Sequence, residues 1–405
     1  MTITGVRRAA VALATATLVA GAVASMAPAA TASSATVRTG AGTAAVPEPD
    51  DDPFYQPAPG YETKRPGTIL KKRTVSVPYV AATAYQIQVR SNDAKDRAVT
   101  VVSTILVPYG SYPGGVRPLL SYQPATDSLG DQCNPSYTLR TGTEKEASLL
   151  SLGLNQGWAV VVTDYQGPRD AYGAGRMEGH GVLDGVRGAK ALREAGLFQS
   201  PVGLWGYSGG GLASGWAAEL QPSYAPELTL AGVSSGGTPA DLKAAAQTID
   251  GGPFSGLAIG AIIGLSREYP ELETLMNDAG RQLKEDAADM CVGDLATTYP
   301  FKKISSYTTS SDPLNEPIAR QVLALNRMGS QAPTAPVYLY HSLLDELIPH
   351  ASAATLAKEW CAQGTKVTFY TDVASEHSTL AVTGAPPAVA YLAARFRGVS
   401  APSTC

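Results

Sequence analysis

The chain has 405 residues, of which 44% are hydrophobic and 16% are charged, with 31 basic and 35 acidic side chains. The resulting net charge of −4 gives no electrostatic basis for binding nucleic acid. The charged fraction is below the roughly 25% of average soluble domains, and the chain has 41 glycines and 29 prolines. This composition is typical of a folded protein with many loops, and it excludes a disordered chain or a coiled coil. The length allows a large core, either as several domains or as one core with an insertion.

The first 32 residues are typical of an export signal. Arg7 and Arg8 form a short basic region, residues 9–23 are apolar, and Ala30-Thr31-Ala32 is a cleavage site of small residues. The apolar run is shorter than the roughly 20 residues that span a bilayer, which disfavours the alternative of a retained anchor. We therefore predict a signal peptide at residues 1–32, a secreted protein without a stable membrane anchor, and a flexible linker at residues 33–50 that is rich in Ala, Thr, Ser and Gly.

The cysteines fit an exported chain. There are four: Cys133, Cys291, Cys361 and Cys405. An even number in an oxidising compartment predicts two disulfides, and the residues alone leave all three pairings open. None of the cysteines lies in a CxxC motif and the four histidines are scattered, so the spacing predicts no metal site, and no cofactor is expected.

The pattern of apolar residues predicts a parallel α/β sheet. Prolines and aromatic residues make residues 52–73 an extended segment. Short strand-like runs follow at residues 75–80, 84–89, 99–107 and 118–122. Alternation at residues 85–89 is typical of an antiparallel edge strand, whereas the continuously apolar runs at 158–163 and 202–207 indicate strands buried on both faces. Between those two runs, residues 181–195 have a helical pattern, which gives the strand–helix–strand order of a parallel sheet.

The sharpest motif is G-x-S-x-G, in which Ser208 lies between Gly206 and Gly210. An apolar strand precedes it and the helix-like residues 212–220 follow it. A nucleophile on such a tight strand-to-helix turn needs small residues two positions before and after it, because its own backbone is strained and neighbouring Cβ atoms would clash. The alternative is an ordinary glycine-rich turn. The context favours a nucleophile elbow with Ser208 as the nucleophile.

A serine nucleophile needs a base, and in this fold the chain order is serine, acid, histidine. His180 precedes Ser208 and is excluded by that order. His341 lies inside an apolar strand, where a core role is expected, and His350 lies at a predicted helix start. His377 lies in a polar loop directly after the strand predicted at residues 366–370, where the base should be. We therefore predict His377 as the base.

The acid should follow the preceding strand, which is predicted at residues 337–341. Asp345 lies in the loop after that strand, and Glu346 is its neighbour. Neighbouring side chains in a loop point in different directions, so only one of the two can reach the imidazole. Asp372, five residues before His377, is a further alternative. We predict Asp345 as the acid.

Acyl transfer also needs hydrogen-bond donors for the developing oxyanion. The N–H of Gly209 follows the nucleophile at a helix N-terminus, where the helix dipole favours negative charge. A second N–H is expected from the loop after the strand at residues 118–122. Composition alone does not identify which residue of that loop provides it.

These residues belong to a wider set of motifs that resembles the secretory lipases of the yeast lipase A type. The motifs are Asp52-Pro-Phe-Tyr, Pro66-Gly67-Thr-Ile-Leu, Ser121-Tyr-Gln with Asp127, Asp164-Tyr-Gln-Gly-Pro, Gly179-His-Gly-Val-Leu-Asp-Gly-Val-Arg, Gly206-Tyr-Ser-Gly-Gly, and the loops of Asp345 and His377. The resemblance covers most of the chain after residue 51. It implies an α/β-hydrolase fold, in which a mostly parallel central sheet has helices on both faces and an inserted helical cap.

The resemblance also implies roles for individual residues. It implies a Ser208–Asp345–His377 triad, with the backbone N–H groups of Asp127 and Gly209 as the oxyanion hole. It further implies the disulfides Cys133–Cys291 and Cys361–Cys405.

The resemblance places a helical cap between the elbow helix and the acid, and the chain has room for one. We predict a cap at residues 238–315 and a core of residues 51–237 and 316–405. Residues 253–265 are almost wholly apolar, which fits either a helix buried against the core or a mobile lid. The run is too short to span a membrane.

These observations predict a secreted serine ester hydrolase, a lipase that acts on water-insoluble or medium-to-long acyl esters through an acyl-enzyme. The expected partner is a lipid or acyl-ester substrate, and the protein is expected to be a monomer that binds no nucleic acid. An acyltransferase with the same triad is the nearest alternative. A non-catalytic surface-binding protein of the same fold is the alternative from another class.

Overall fold

The computed structural model describes residues 46–405, and within this range nine strands form one sheet. The strands are β1 (Ile69–Val75), β2 (Ala82–Asn92), β3 (Ala98–Pro108), β4 (Leu119–Gln123), β5 (Ala159–Thr163), β6 (Val202–Tyr207), β7 (Leu230–Gly236), β8 (Val337–Ser342) and β9 (Val367–Asp372). Their order across the sheet is β1-β2-β3-β5-β4-β6-β7-β8-β9. The pairs β1–β2, β2–β3 and β3–β5 are antiparallel. The pairs β5–β4, β4–β6, β6–β7, β7–β8 and β8–β9 are parallel.

Twelve α-helices accompany the sheet in the same range. They are α1 (Pro135–Thr141), α2 (Ala147–Asn155), α3 (Gly175–Ala191), α4 (Gly209–Tyr224), α5 (Leu242–Ile249), α6 (Ser255–Glu268), α7 (Asp278–Asp286), α8 (Val292–Thr298), α9 (Pro317–Leu325), α10 (His350–Ala362), α11 (His377–Thr383) and α12 (Ala385–Phe396). None of the helices in this part of the chain combines the length and the apolar character that crossing a membrane requires.

The sheet is buried on both faces, as its apolar strands predicted. Successive side chains of a strand point to opposite faces. In β5, Val161 packs in a core with α3, α4 and α10, whereas Val160 and Val162 pack in a second core with α2 and α12. The prediction of a mostly parallel α/β sheet with helices on both faces is confirmed.

The amino-terminal half of the sheet differs from the prediction in two places. The run at 75–80 is not a strand, because β1 ends at Val75 and Tyr79 adopts a φ of 63° in the turn that follows. The alternating run at 85–89 is not an edge, because β2 lies between β1 and β3. Its glutamine Gln88 is fully buried, and its amide donates to the carbonyl oxygens of Phe54, Tyr55 and Gln56. The segment before β1 therefore covers the face that the alternation marked as solvated.

The chain between β7 and β8 folds as α5 to α9, with 3-10 turns between them. The apolar run at 253–265 forms most of α6, and Ala258, Ile259 and Ile263 are buried. The exact limits of a cap at residues 238–315 stay a prediction. The predicted signal peptide and residues 33–45 of the predicted linker lie outside the described residues, and Pro49–Asp51 form a 3-10 turn.

Two disulfides join distant segments. Cys133–Cys291 connects the 3-10 turn Asp131–Cys133 to the start of α8, and Cys361–Cys405 connects α10 to the C-terminal tail. This pairing is the one that the family resemblance implied. The tail runs beside β9, where the N–H of Thr404 donates to the carbonyl oxygen of Val367 at 2.8 Å.

Candidate active site

Ser208 lies on the tight turn between β6 and α4, with a φ of 55° and a ψ of −123°. A Cβ atom on Gly206 would lie 2.2 Å from the carbonyl oxygen of Gly210, and one on Gly210 would lie 1.9 Å from the carbonyl oxygen of Gln123. Any side chain at either position would therefore displace the turn, which explains why both positions of the G-x-S-x-G motif are glycine. Ser208 therefore lies on a tightly packed strand-to-helix turn, and its role as the nucleophile stays a prediction.

His377 and Asp345 meet at this serine from the loops after β9 and β8. The Nε2 atom of His377 lies 3.0 Å from the Oγ of Ser208, and its Nδ1 lies 2.7 Å from the Oδ2 of Asp345. His377 is 5% exposed, and the side chain of Asp345 is fully buried. With the Nδ1 proton donated to the carboxylate, Nε2 is free to accept a proton from the serine.

The carboxylate of Asp345 is held in its charged form by several donors. Burial alone would raise its pKa, but hydrogen bonds with His341, His377 and the N–H of Ile348 hold the pKa of Asp345 well below its ordinary value. The Nε2 of His341 lies 3.2 Å from the same Oδ2 that faces His377. The sequence predicts a core role for His341, and the structure shows that it is buried and also contacts the candidate acid.

The backbone of His377 is fixed by two side chains that sequence reasoning did not assign to this role. The N–H of His377 donates to the Oε2 of Glu346 at 3.1 Å, and its carbonyl oxygen accepts from the hydroxyl of Tyr207 at 2.7 Å. Glu346 therefore reaches the main chain of the histidine while Asp345 reaches its ring. In the sequence, only their positions point to these two residues, since Glu346 follows Asp345 and Tyr207 precedes Ser208.

The other candidates lie elsewhere. The carboxylate of Asp372 accepts from the N–H groups of Ala374 and Ser375, which is a turn role. His350 is the first residue of α10, and its Nε2 lies 2.9 Å from the Oγ1 of Thr371 in β9. His180 is buried in α3, where its Nδ1 lies 3.2 Å from the carbonyl oxygen of Asp93.

The loop after β4, residues 124–128, is called the oxyanion loop below. Three of its N–H groups have acceptors. Ala125 donates to the Oε1 of Glu146 at 3.0 Å, and Ser128 donates to the Oε1 of Gln166 at 3.4 Å. The N–H of Thr126 is shared between the carbonyl oxygen of Pro124 at 2.8 Å and the hydroxyl oxygen of Tyr165 at 3.1 Å. Among the described residues, the N–H of Asp127 has no acceptor. Buried N–H groups are nearly always paired, so the missing acceptor sets Asp127 apart from the other residues of the loop.

Asp127 lies directly beside the elbow. Its φ is 47°, in the left-handed region, and its carboxyl packs on Gly209, where a Cβ would come within 1.8 Å of Oδ1. Burial raises the pKa of the Asp127 carboxyl. The two residues that the resemblance assigned to the oxyanion hole are thus neighbours in space.

An apolar cavity is lined by Asp127, Ser208 and Gly209 together with apolar side chains of α5 and α6, and about 90 Å³ within it can hold the centres of water-sized molecules. Its apolar walls include Leu242, Ala246, Ile249, Leu257, Ala261 and Ile262. A second apolar cavity shares Ile262 and Leu265 with the first and extends to Leu272 and Met276. Apolar space therefore leads away from the serine into the helices between β7 and β8.

Within residues 46–405, no group of three or more His, Cys, Asp or Glu side chains is arranged to hold a metal ion. The fold defines an α/β-hydrolase, and Ser208 lies on the turn between β6 and α4.

Comparison with known proteins identifies the family. Residues 133–403 match the model of the secretory lipase family. A probable inactive lipase of Mycobacterium tuberculosis is 36% identical over 369 residues, which are 86% of this chain and 83% of that protein. A secreted triacylglycerol lipase of Malassezia restricta is 35% identical over 378 residues, 86% of this chain and 80% of that protein. The crystal structure of Candida antarctica lipase A aligns with a TM-score of 0.84 and 31% identity, and covers 89% of each chain.

The chain belongs to the secretory lipase family and is a carboxylic ester hydrolase. The fold and family that the sequence predicted are confirmed. The family and its secreted members also indicate an extracellular location.

Proposed function

We propose that the protein is a lipase that cleaves acyl esters through an acyl-serine intermediate at Ser208. His377 takes the proton from Oγ as Oγ attacks the ester carbonyl carbon. The carbonyl oxygen, now an oxyanion, binds the N–H groups of Gly209 and Asp127. His377 then gives its proton to the leaving alcohol oxygen as the ester C–O bond breaks. A water molecule repeats the sequence on the acyl-enzyme and releases a carboxylic acid.

One observation carries this proposal: the hydrogen-bonded chain from Asp345 through His377 to Ser208, with distances of 2.7 and 3.0 Å. These are the distances at which a base accepts a proton from a nucleophile. The carboxylate is charged and fully buried, so it stabilises the imidazolium that forms during attack.

The apolar cavity supports a substrate with a medium or long acyl chain. Its walls between Ser208 and α6 are almost entirely apolar, and burying an acyl chain there removes apolar surface from water. Several relatives are named triacylglycerol lipases, and we propose the same substrate class for this chain. We also propose that residues 1–32 direct its export.

A non-catalytic role is the second candidate, because one relative is named a probable inactive lipase. The intact contacts among Ser208, His377 and Asp345 favour catalysis in this chain. An acyltransferase would use the same contacts and differ only in the acceptor of the acyl group.

The test compares Ser208→Ala with wild type. The variant should fold and be secreted, with no burst of acyl-enzyme on a p-nitrophenyl ester and a kcat lower by about 10⁴-fold or more. Ser223→Ala, in the last turn of the same helix, is the matched control and should retain full activity. Comparable activity in Ser208→Ala would refute the proposal.

The substrate class is tested with p-nitrophenyl esters from acetate to palmitate and with emulsified triglyceride. A wild-type protein that forms no acyl-enzyme with any ester would support the non-catalytic alternative. Preferential transfer to an added alcohol over water would support the acyltransferase.

A further inference from the structure

The hydroxyl of Tyr165 lies against the oxyanion loop. Tyr165 follows β5 and is 1% exposed. Its hydroxyl donates to the carbonyl oxygen of Pro124 at 2.6 Å and accepts from the N–H of Thr126 at 3.1 Å. A single buried oxygen thus joins the two residues on either side of Ala125. Because the ring is packed in the main core, the hydroxyl ties the loop to the sheet.

Glu146 holds the same loop from the other side. It immediately precedes α2, and its Oε1 accepts from the N–H of Ala125 at 3.0 Å. Its Oε2 accepts from the hydroxyl of Tyr122, in β4, at 2.5 Å. The loop is therefore bonded at residues 124, 125 and 126 before the chain reaches Asp127.

The conformation of Asp127 makes these bonds necessary. Its φ of 47° is one that residues other than glycine seldom adopt, so the surrounding structure has to hold it. If the bonds to residues 124–126 were lost, the loop would relax and Asp127, whose carboxyl packs on Gly209, would leave its place beside the elbow. Burial raises the pKa of Tyr165 well above its ordinary value, so the hydroxyl keeps its proton and remains a donor.

We propose that Tyr165 and Glu146 are positioning residues that hold the oxyanion loop so that the N–H of Asp127 can bind the oxyanion. This inference rests on the proposed acyl-transfer function. Neither side chain has to touch the substrate, so both act through Asp127. A displacement of about 1 Å in such a donor lowers a rate by about 10²-fold, which sets the size of the expected effect.

The main test is Tyr165→Phe, which removes one oxygen and keeps the ring. With p-nitrophenyl butyrate, kcat should fall about 10- to 100-fold while KM changes less than two-fold. Affinity for a butyl trifluoromethyl ketone, whose adduct with serine carries an oxyanion, should fall by a similar factor.

Tyr224→Phe is the matched control. Tyr224 is the last residue of α4, the helix that begins at Gly209, and its hydroxyl donates to the Oδ2 of Asp184 at 2.7 Å. At 1.5 Å per residue, it lies about 22 Å from the elbow. Tyr224→Phe removes this hydrogen bond to a carboxylate, so it should lower the melting temperature at least as much as Tyr165→Phe does. It should leave kcat unchanged.

Glu146 gives an independent arm. Glu146→Gln keeps an oxygen for the N–H of Ala125 and should retain kcat, whereas Glu146→Met removes it and should lower kcat as Tyr165→Phe does. The proposal is overturned if Tyr165→Phe keeps wild-type kcat, if Tyr224→Phe loses as much, or if Glu146→Gln and Glu146→Met behave alike. A wild-type protein that forms no acyl-enzyme would instead refute the proposed function.

Discussion

Removing the Cys133–Cys291 disulfide should impair the hydrolysis of long-chain esters more than that of short ones. The bridge leads to the acyl cavity through α8: Cys291 precedes that helix, and a Cβ on Gly256 of α6 would lie 1.9 Å from the carbonyl oxygen of Leu295 in α8. Because α6 lines the cavity, loosening α8 should disturb the cavity walls. An acetyl group extends little beyond the serine, whereas a palmitoyl chain has to pack against these apolar walls.

The cost in stability follows from the length of the loop that each bridge closes. Cys133–Cys291 spans 158 residues and Cys361–Cys405 spans 44. In the chain-entropy model these loops correspond to about 5 and about 4 kcal/mol. With an unfolding entropy of about 2.1 cal/mol/K per residue, the melting temperature should fall by about 7 °C and about 5 °C.

The assay compares two double variants. C133S/C291S should lose at least ten-fold more kcat/KM on p-nitrophenyl palmitate than on p-nitrophenyl acetate. C361S/C405S, which leaves α6 and α8 untouched, should show equal changes on both esters. Calorimetry under non-reducing conditions gives the melting temperatures. Equal losses on both esters in C133S/C291S, or peptide mapping that finds a different pairing, would refute the reasoning.

Three other perturbations test the site and its surroundings. Asp345→Asn should lower kcat by about 10⁴-fold on a short soluble ester at pH 8, whereas Asp372→Asn should change it little; the reverse result would move the acid to Asp372. Ala246→Phe should fill part of the cavity and lower kcat/KM for palmitate but not for acetate, and a uniform loss would contradict the cavity's role. Burial lowers the pKa of His180 from 6.5 to about 4, so its contribution to stability is present above pH 6.5 and is lost as the pH falls towards 4, by up to about 3 kcal/mol. In urea unfolding, the stability of His180→Gln should depend less on pH than that of wild type, and an equal dependence would contradict the prediction. Burial raises the pKa of three carboxyls, Glu146, Asp164 and Glu219, to about 7, and these groups change the stability in the opposite direction. The prediction is therefore checked on the difference in unfolding free energy between the two proteins at each pH.

The serine, histidine and acid could be located from the sequence because each follows an apolar strand in a known chain order. Gly206 and Gly210 reinforce this, since the steric need for glycine at the elbow is local. The role of each residue in catalysis stays a prediction, although the structure brings all three side chains into hydrogen-bond distance.

Contacts between separate loops could not be predicted in the same way. Glu346 was considered only as a rival acid, and its bond to the N–H of His377 depends on the mutual position of the β8 and β9 loops. The bond of Glu346 therefore arises from tertiary packing, which leaves no local pattern in the sequence.

The helix α3 shows how glycine can mislead. The helix begins at Gly175, six residues before the start predicted at residue 181. Glycine has a low helix propensity, so a glycine-rich stretch suggests a loop. Packing explains the glycine instead: a Cβ on Gly175 would lie 2.0 Å from the Nε1 of Trp216 in α4. Close approach of two helices outweighs intrinsic propensity at this position.

The C-terminal tail has a consequence for self-association. β9 is the last strand of the sheet, and such a strand offers unpaired N–H and C=O groups to any other extended chain. Here Thr404 bonds to Val367 and Phe369 on that exposed side, and the bond between Cys361 and Cys405 keeps the tail in place. The disulfide therefore keeps the tail against the outer side of β9, where an uncovered edge strand would offer its unpaired backbone groups to another extended chain.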